Sequence, residues 1–295
     1  MPPFWVGPDV SVKEVVESKT GKREERQGQI LLSDAQRRAG IGEATVVGGS
    51  PDQEVSVGDE VEIVSQRGGS TKYLLGTDKL GRDILSRIIH GARVSLTVSL
   101  LAVVLGGGIG TILGLVAGCF GGVWDSLIMR LVDLMLAFPS ILLALVMVAA
   151  IGSGYSTVII VIVVLLWSRY ARVVRGEALA IKQSDYVARA RVAGASHMRI
   201  MIRHIFPNLV NTVIVLATLE VGAVIILEST LSFLGAGIPR PTPAWGVMVA
   251  DGRELIIANW WIFFFPTMAI VLTVLSMNLL GDWLRDRLDP RLRNV

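Results

Sequence analysis

Two glutamates, Glu220 and Glu228, stand within an apolar run that covers residues 208–236. Ionisable side chains are costly at membrane depth, and by default they mark a transport pathway or a buried pair. Glu220 lies deeper in the run and is the stronger candidate for the pathway. Glu228 lies near the outer end, so a structural hydrogen bond or a hydrated interface is an equally good interpretation of it.

Other kinds of chemistry lack a matching residue pattern. The sequence contains no Gly-x-x-x-x-Gly-Lys-Ser/Thr phosphate loop, no Gly-x-Ser-x-Gly turn and no His-Glu-x-x-His site. We therefore predict no catalytic residue and no ATP hydrolysis by this chain. The single cysteine, Cys119, excludes an intrachain disulfide. No metal site or other cofactor is predicted, because the three histidines do not form a spaced ligand cluster: His90, His197 and His204.

The composition is that of a membrane protein. Hydrophobic residues make up 52% of the 295 residues and charged residues 18%, against about 25% charged in soluble domains. Mean hydropathy is +0.59. The net charge of +3 is concentrated in short segments beside apolar runs, a pattern set by membrane topology and not by a nucleic-acid-binding face.

Five apolar runs are long enough to cross a bilayer, for which roughly 20 residues suffice. So many uncharged runs exclude a soluble helical core, and the sequence predicts an all-α, multi-pass membrane protein. Pro139 and Pro266 are expected to kink their helices. The predicted crossings cover residues 94–120, 131–152, 156–175, 208–236 and 261–282.

Lysine and arginine set the orientation of the crossings. They are abundant between the third and fourth runs and in the C-terminal tail, but sparse and balanced by acids in residues 237–260. The positive-inside rule places the first two segments in the cytoplasm and the third outside. Six tryptophans near the predicted ends indicate a belt in contact with lipid headgroups, although Trp245 could also stack on a ligand: Trp124, Trp167, Trp245, Trp260, Trp261 and Trp283.

The chain divides into four predicted parts. Residues 1–74 form an extracytoplasmic segment, irregular except for a small β-hairpin predicted from alternating residues between Glu54 and Val64. Residues 75–93 lead into the bundle. Residues 94–284 form the transmembrane domain, with a cytoplasmic loop at 176–207. Residues 285–295 form a cytoplasmic tail.

The first crossing contains glycines at every fourth position, a spacing that lets helices pack backbone to backbone. Packing within the chain is the favoured interpretation, and contact with a second subunit is the alternative. The four glycines are Gly106, Gly110, Gly114 and Gly118.

The cytoplasmic segment from Asp185 to Asn208 predicts a short helix, a turn at Gly194 and a second short helix that ends at Pro207. Ser196 is positioned to cap the second helix. Small side chains let a partner surface approach closely. The predicted contact residues for that partner are Asp185, Ala188, Ala190, Gly194, Ala195 and Pro207.

This segment resembles the coupling loop of binding-protein-dependent ABC importer permeases, whose pattern is Glu-Ala-Ala, three residues, Gly, nine residues and Ile-x-Leu-Pro. Ala190, Gly194 and Pro207 are in register with that pattern, while Ala188 and His204 replace its leading Glu and its Ile. Three further stretches resemble the C-type permease of the dipeptide/oligopeptide/nickel subfamily. They are Leu75-Gly-Thr-Asp-Lys-Leu-Gly-Arg-Asp, Glu228-Ser-Thr-Leu-Ser-Phe-Leu-Gly and Asn278-Leu-Leu-Gly-Asp-Trp-Leu-Arg-Asp.

The resemblance implies the transmembrane bundle of a type I ABC importer in the inner or plasma membrane of a prokaryote. It implies three kinds of partner besides lipid: a second permease subunit in a heterodimer, two cytoplasmic ATP-binding subunits, and an extracytoplasmic solute-binding protein. No nucleic-acid partner is implied. The expected cargo is short peptides, with nickel complexes or other small oligomers as alternatives.

Two other functions remain open at this point. A self-contained secondary transporter or channel would show inverted repeats or buried charge relays, and a non-transport scaffold would not need the coupling-loop spacing. The family usually has a sixth crossing before the extracytoplasmic segment. Five crossings leave the N-terminal segment outside, so we expect that Met1 is an internal start or that the chain is truncated.

Overall fold

The computed structural model describes residues 73–257 and 259–288 in full, and the backbone of five short strands before them. It divides into two compact units, Met1–Leu85 and Ser86–Val295.

The strands of the first unit form two small antiparallel sheets. Their bounds are β1 Ser11–Val15, β2 Gln29–Leu31, β3 Thr45–Val46, β4 Glu54–Ser56 and β5 Glu60–Val64. One sheet has the order β1-β5-β3 and the other pairs β2 with β4. Both arms of the predicted hairpin are therefore strands, but the pairing predicted between them is wrong. β4 and β5 belong to different sheets, because β4 pairs with β2 and β5 pairs with β1 and β3, all of which lie earlier in the sequence.

A tight turn follows in the same unit. Asp78 accepts hydrogen bonds of 2.9 Å from the backbone N–H groups of Leu80 and Arg82, and one of 2.7 Å from the Arg82 guanidinium. Gly81 has a φ of +75°, which an L side chain rarely adopts. This part of the Leu-Gly-Thr-Asp-Lys-Leu-Gly-Arg stretch is thus a compact turn organised by one carboxylate.

Helices make up nearly all of the described second unit. The first four are α1 Ile84–Phe120, α2 Gly122–Ala137, α3 Ser140–Ile151 and α4 Tyr155–Lys182. Two short helices follow, α5 Asp185–Val192 and α6 His197–Ile200, and then a π-helical turn, Met201–Ile205. The last three are α7 Phe206–Phe233, α8 Trp245–Gly252 and α9 Trp261–Leu288, with a 3₁₀ turn at Arg253–Leu255.

Four helical stretches are long and apolar enough to cross a membrane: Ile84–Phe120, Tyr155–Lys182, His197–Phe233 and Trp261–Leu288. At about 1.5 Å per residue, even the 28-residue helices extend beyond the roughly 30 Å hydrocarbon layer. Four of the five predicted crossings therefore correspond to single helical stretches, each longer than its apolar run.

The second predicted crossing, 131–152, is not one helix. Its residues are divided between α2 and α3, whose axes differ by 92° across the break at Phe138-Pro139. Phe138 is extended, with φ −89° and ψ 140°, because the proline ring disfavours a helical conformation in the residue before it. The expected kink at Pro139 is thus a complete helix break, whereas Pro266 lies inside the continuous α9.

The core lies where α1, α4 and α7 meet. Val98, Val158, Ile162, Tyr170 and Val224 are buried in one cluster there. Large aliphatic side chains cover much of the outward faces, including Ile112, Val146 and Leu272. An apolar exterior around a packed interior is what a lipid-facing bundle requires, since lipid takes the place of water.

Candidate functional site

Residues 185–207, predicted to form the coupling loop and called the coupling segment below, form a helical elbow at one end of the bundle. α5 and α6 are joined by a turn in which Gly194 has a φ of +82°. This left-handed conformation favours glycine. Backbone conformation, and not lack of space, therefore accounts for glycine at this position, because an added Cβ would meet no other atom within 4 Å. Ser196 caps α6 by accepting a hydrogen bond of 3.3 Å from the Arg199 N–H, as the sequence predicted.

One face of the elbow is anchored in the bundle. Val187, Ile200 and Ile205 are buried in a cluster with Leu115 of α1 and Val174 of α4. The elbow is therefore held by packing and cannot swing independently of these helices.

The rest of the elbow surface is exposed and combines apolar side chains with arginines. Val192 is 90% exposed, and Tyr186, Met198 and Ile202 are also exposed. The exposed arginines are Arg189, Arg191, Arg199 and Arg203. Most of the predicted contact residues lie on the exposed surface: Asp185, Ala188, Gly194 and Pro207 are exposed, and Ala190 and Ala195 are partly buried. Exposed apolar side chains in a segment predicted to be cytoplasmic are typical of a surface that a partner covers.

The predicted end of the second short helix at Pro207 is wrong. Helix continues from α6 through the π turn into α7, and the N–H of Phe206 bonds to the carbonyl of Met201, five residues back. Pro207 lacks an N–H, and its ring would clash with the carbonyl four residues before it in a regular helix. The wider π turn accommodates the proline without ending the helix.

Polar contacts fix the inner end of α4, immediately before the elbow. The Lys182 ammonium donates to the carbonyls of Gly118 and Cys119 at 3.2 and 2.7 Å, at the C-terminal end of α1. A cation there is favoured by the helix dipole. About two turns earlier, Arg175 forms a two-pronged ion pair with Asp125 of α2, in which Nη2 lies 2.7 Å from Oδ2.

The glycine ladder of α1 faces α4. A Cβ added at Gly114 would lie 2.6 Å from the Ala171 carbonyl oxygen, and one at Gly118 would lie 2.8 Å from the Ala178 Cβ. Added Cβ atoms at the other two would meet the same helix, at 3.1 Å from Leu166 Cβ for Gly106 and 2.5 Å from Tyr170 Cβ for Gly110. The four glycines thus contact a neighbouring helix of their own chain.

Glu220 lines a pocket of about 280 Å³ between α3, α4 and α7. Its Oε2 lies 3.8 Å from Nη1 of Arg169, and the two side chains are 12% and 49% exposed. Arg169 also lines the pocket, whose remaining surface is mainly aliphatic. The structure therefore places Glu220 in a mainly apolar pocket that also contains Arg169.

Glu228 does not line this pocket. Its side chain is fully buried, and Ser232 donates a hydrogen bond of 2.8 Å to its Oε1. The Ser95 hydroxyl of α1 lies beside the same carboxyl and also accepts a hydrogen bond of 3.3 Å from the Trp245 N–H. This arrangement favours the structural interpretation of Glu228, as a polar link between α1, α7 and the segment before α8.

Trp245 has a packing role as well. It is buried, and its indole N–H donates to the Ile88 carbonyl at 3.0 Å. An added Cβ at Gly91 would lie 3.1 Å from the indole ring. The side chain therefore fastens α8 to the start of α1 and does not offer an open face for ligand stacking.

Sequence reasoning missed the pairing of three arginines on α4. Arg169, Arg172 and Arg175 were counted only as charges that set orientation, yet they lie beside Glu220, Asp133 and Asp125 respectively. The signal was present, because the arginines recur every three residues and thus share one helix face, while the acids interrupt apolar segments. No metal-ligand group of three His, Cys, Asp or Glu side chains occurs in the part of the chain that was searched, residues 73–257 and 259–288.

Comparison with known proteins identifies the family. Residues 110–294 match the model of the binding-protein-dependent transport system inner membrane component. The chain belongs to this family. Among curated relatives, the permease is 47% identical over 226 residues to the glutathione transport system permease protein GsiD of Escherichia coli O6:K15:H31, covering 77% of this chain and 75% of the relative.

The permease is also 45% identical over 228 residues to the di/tripeptide transport system permease protein DppC of Pseudomonas aeruginosa, with the same two coverages. A chain of the MetNI methionine ABC transporter in an inward-facing conformation has the same fold, with a TM-score of 0.59 at 17% identity. That match covers 70% of this chain and 98% of the other. The predicted family, the all-α importer fold and the multi-pass inner-membrane location are confirmed. The alternatives of a self-contained transporter, a channel or a scaffold are not supported.

Proposed function

We propose that this chain is one of two different permease subunits of an ABC importer for short peptides. The peptide class is supported by the names of its relatives, which transport glutathione or di- and tripeptides. In this proposal a solute-binding protein delivers the peptide from outside. ATP is hydrolysed by two separate cytoplasmic subunits, and the permease pair forms the path between them.

The observation on which the proposal rests is the construction of the coupling segment. Val187 and Ile200 on its buried face pack into the bundle, while Val192 and Met198 are exposed on its surface. When a bound partner displaces a surface of this kind, the displacement is transmitted to the bundle, because the anchored face prevents the elbow from moving alone. The ATP-binding subunit would cover the exposed apolar face.

Both helices that flank the elbow can transmit this push. α4 ends two residues before α5, and α6 continues into α7 without a helix break. A displacement of the elbow thus reaches two crossings directly. Closure of the ATP-binding subunits would then switch the path between outward and inward access, which requires a rigid lever joined to a bundle with two arrangements.

The proposal is tested by co-purification of the ATP-binding subunits and by ATP turnover of the complete importer. Val192→Asp places a charge in the proposed contact, and Gly194→Trp adds a large side chain at the turn. The matched control is Ile257→Asp, because Ile257 is 95% exposed and lies in the segment assigned to the outside. All three variants are first checked for membrane insertion at wild-type yield.

We expect both coupling-segment variants to lose the ATP-binding subunits and the control to retain them. Retention by all three would show that the exposed face is not the docking surface. A wild-type permease that binds no ATP-binding subunit, even with its partner permease co-expressed, would overturn the proposal as a whole. Uptake of alanyl-alanine or glutathione by the assembled importer tests the peptide class separately.

A further inference from the structure

The pocket at Arg169 and Glu220 has the features of a binding site. Its volume of about 280 Å³ is close to the lower end of the range for small-molecule sites. Ile162, Leu165 and Val224 provide aliphatic walls, and Ser140 and Thr230 contribute small polar groups. A mainly apolar cavity with a few convergent polar groups is the usual form of a ligand pocket.

The ion pair in this pocket has unused bonding capacity. The Arg169–Glu220 separation of 3.8 Å is too long for a hydrogen bond. Within the described part of the chain, Glu220 Oε2 has no hydrogen-bond partner although it is buried. By contrast, Arg172 and Arg175, farther along the same helix, hydrogen-bond directly to their carboxylates. Of the three ion pairs on α4, the one that faces the pocket is thus the one whose charged groups are not hydrogen-bonded to each other.

The helix break lies at the same place. Ser140 and Ile141, the first two residues of α3 after the 92° bend, line the pocket. Irregular backbone at membrane depth is tolerated where it is buried in protein or borders a hydrated cavity. The start of α3 also adds partial positive charge on that side of the pocket. Three independent features, a cavity, an open ion pair and a break, therefore coincide.

We propose that this pocket transiently binds the two charged termini of a transported peptide, with the α-carboxylate at Arg169 and the α-ammonium at Glu220. This inference rests on the proposed function and names the ligand chemistry of one step in it. A guanidinium binds a carboxylate through two parallel hydrogen bonds. Arg169 is half-exposed and has a long side chain, so it can move away from Glu220 to admit the peptide.

Charge balance explains why the two termini would enter together. The empty pocket contains one positive and one negative group, and a zwitterionic peptide adds one of each, so the net charge at membrane depth stays at zero. Each protein group exchanges one counter-ion for another and gains hydrogen bonds. Such an exchange is nearly balanced in free energy, which suits a path that must release its cargo.

The test uses the complete importer in proteoliposomes, with its solute-binding protein and ATP, and radiolabelled alanyl-alanine as the probe. Arg169→Gln and Glu220→Gln each remove one charge, and the double variant removes both without leaving an unpaired charge. Arg172→Gln is the matched control, because it removes an arginine one turn along α4 that does not line the pocket. ATP hydrolysis stimulated by the loaded binding protein is measured in parallel.

We expect each pocket variant and the double variant to lower uptake at least about tenfold, as loss of a charge-assisted contact predicts. Stimulated ATP hydrolysis should stay within about twofold of wild type, because the coupling segment is intact. The control should retain uptake. Normal uptake by the double variant would overturn the inference, and so would equal loss of uptake and ATP hydrolysis in all variants, since that would indicate a structural role.

Binding is measured directly by maleimide labelling of a Thr230→Cys variant in a Cys119→Ser background. Alanyl-alanine should slow labelling at Thr230→Cys, whereas its N-acetyl and C-terminal amide derivatives should protect less. Protection should disappear with Arg169→Gln. Labelling that is unaffected by the peptide, in an importer that does transport it, would overturn the inference alone. Absence of any peptide uptake by the wild-type importer would instead refute the peptide class in the proposed function.

Discussion

The close approach of α1 and α4 makes a graded prediction for alanine substitutions along the glycine ladder. An alanine Cβ at Gly110 would lie 2.5 Å from Tyr170 Cβ and closer still to the Trp167 carbonyl oxygen. Carbon atoms prefer separations of about 3.5–4.0 Å, so the two helices would have to separate by about 1 Å. Overpacking of this kind costs about 1–3 kcal/mol.

The matched control lies two residues away on the same helix. Gly108 has no atom of this chain within 4 Å of its added Cβ, so Gly108→Ala meets no obstacle. Both substitutions share the gain in helix propensity of about 1 kcal/mol from glycine to alanine. The difference between the two variants therefore isolates the helix contact. Gly106→Ala should fall between them, because its Cβ would lie 3.1 Å from Leu166 Cβ.

The assay is the apparent melting temperature of each purified variant in one detergent. With about 2–4 °C per kcal/mol for a chain of this size, Gly110→Ala should melt several degrees below Gly108→Ala. If the two variants melt together, or if Gly106→Ala is the least stable of the three, then α1 and α4 are not in backbone contact along this ladder.

Three further predictions concern other contacts; the first two are tested by the same melting assay and the third by limited proteolysis. Asp125→Asn should destabilise the permease more than Asp133→Asn. The Asp125 side chain is 22% exposed and that of Asp133 is 68% exposed, and solvent weakens the more exposed ion pair. Equal shifts in melting temperature would contradict this ranking. Glu228→Gln should be tolerated and Glu228→Leu should not, because only glutamine can still accept from the Ser232 hydroxyl; equal stability of both would remove the structural role. Lys182→Met should loosen the inner end of α4, with faster protease cleavage there than in wild type, because two carbonyls lose their donor; an unchanged cleavage rate would show that the contact is dispensable.

The helices were predictable where a local pattern determines them. Long apolar runs identified the crossings, and Ser196 before a short amphipathic stretch identified a helix cap. The break at Pro139 was anticipated as a kink only. Its full angle depends on what the α3 residues pack against, which residue order alone does not reveal. The start of α2 at Gly122 was missed because Asp125 and Arg130 make that stretch too polar for a lipid-facing run.

Non-local pairing was the part that sequence could not supply. The β4 and β5 strands were each recognised, but their partners lie far along the chain, and adjacency in sequence suggested the wrong pairing. Likewise, Arg175 pairs with Asp125 across 50 residues, so neither residue alone indicates the contact.

The ion pair between Arg169 and Glu220 joins the two crossings that flank the coupling segment. α4 leads into that segment and α7 follows it, so in the proposed function a displacement of the elbow would move the adjoining ends of both helices. Thirteen residues, or about 20 Å of helix, separate Lys182 at the anchored end of α4 from Arg169. Because a helix transmits displacement along its axis with little compression, a shift of α4 against α7 must change the distance between these two side chains. The Arg169–Glu220 distance of 3.8 Å is therefore the quantity in the pocket that movement of the coupling segment would change most directly. A change in this distance alters how strongly the two charges attract each other.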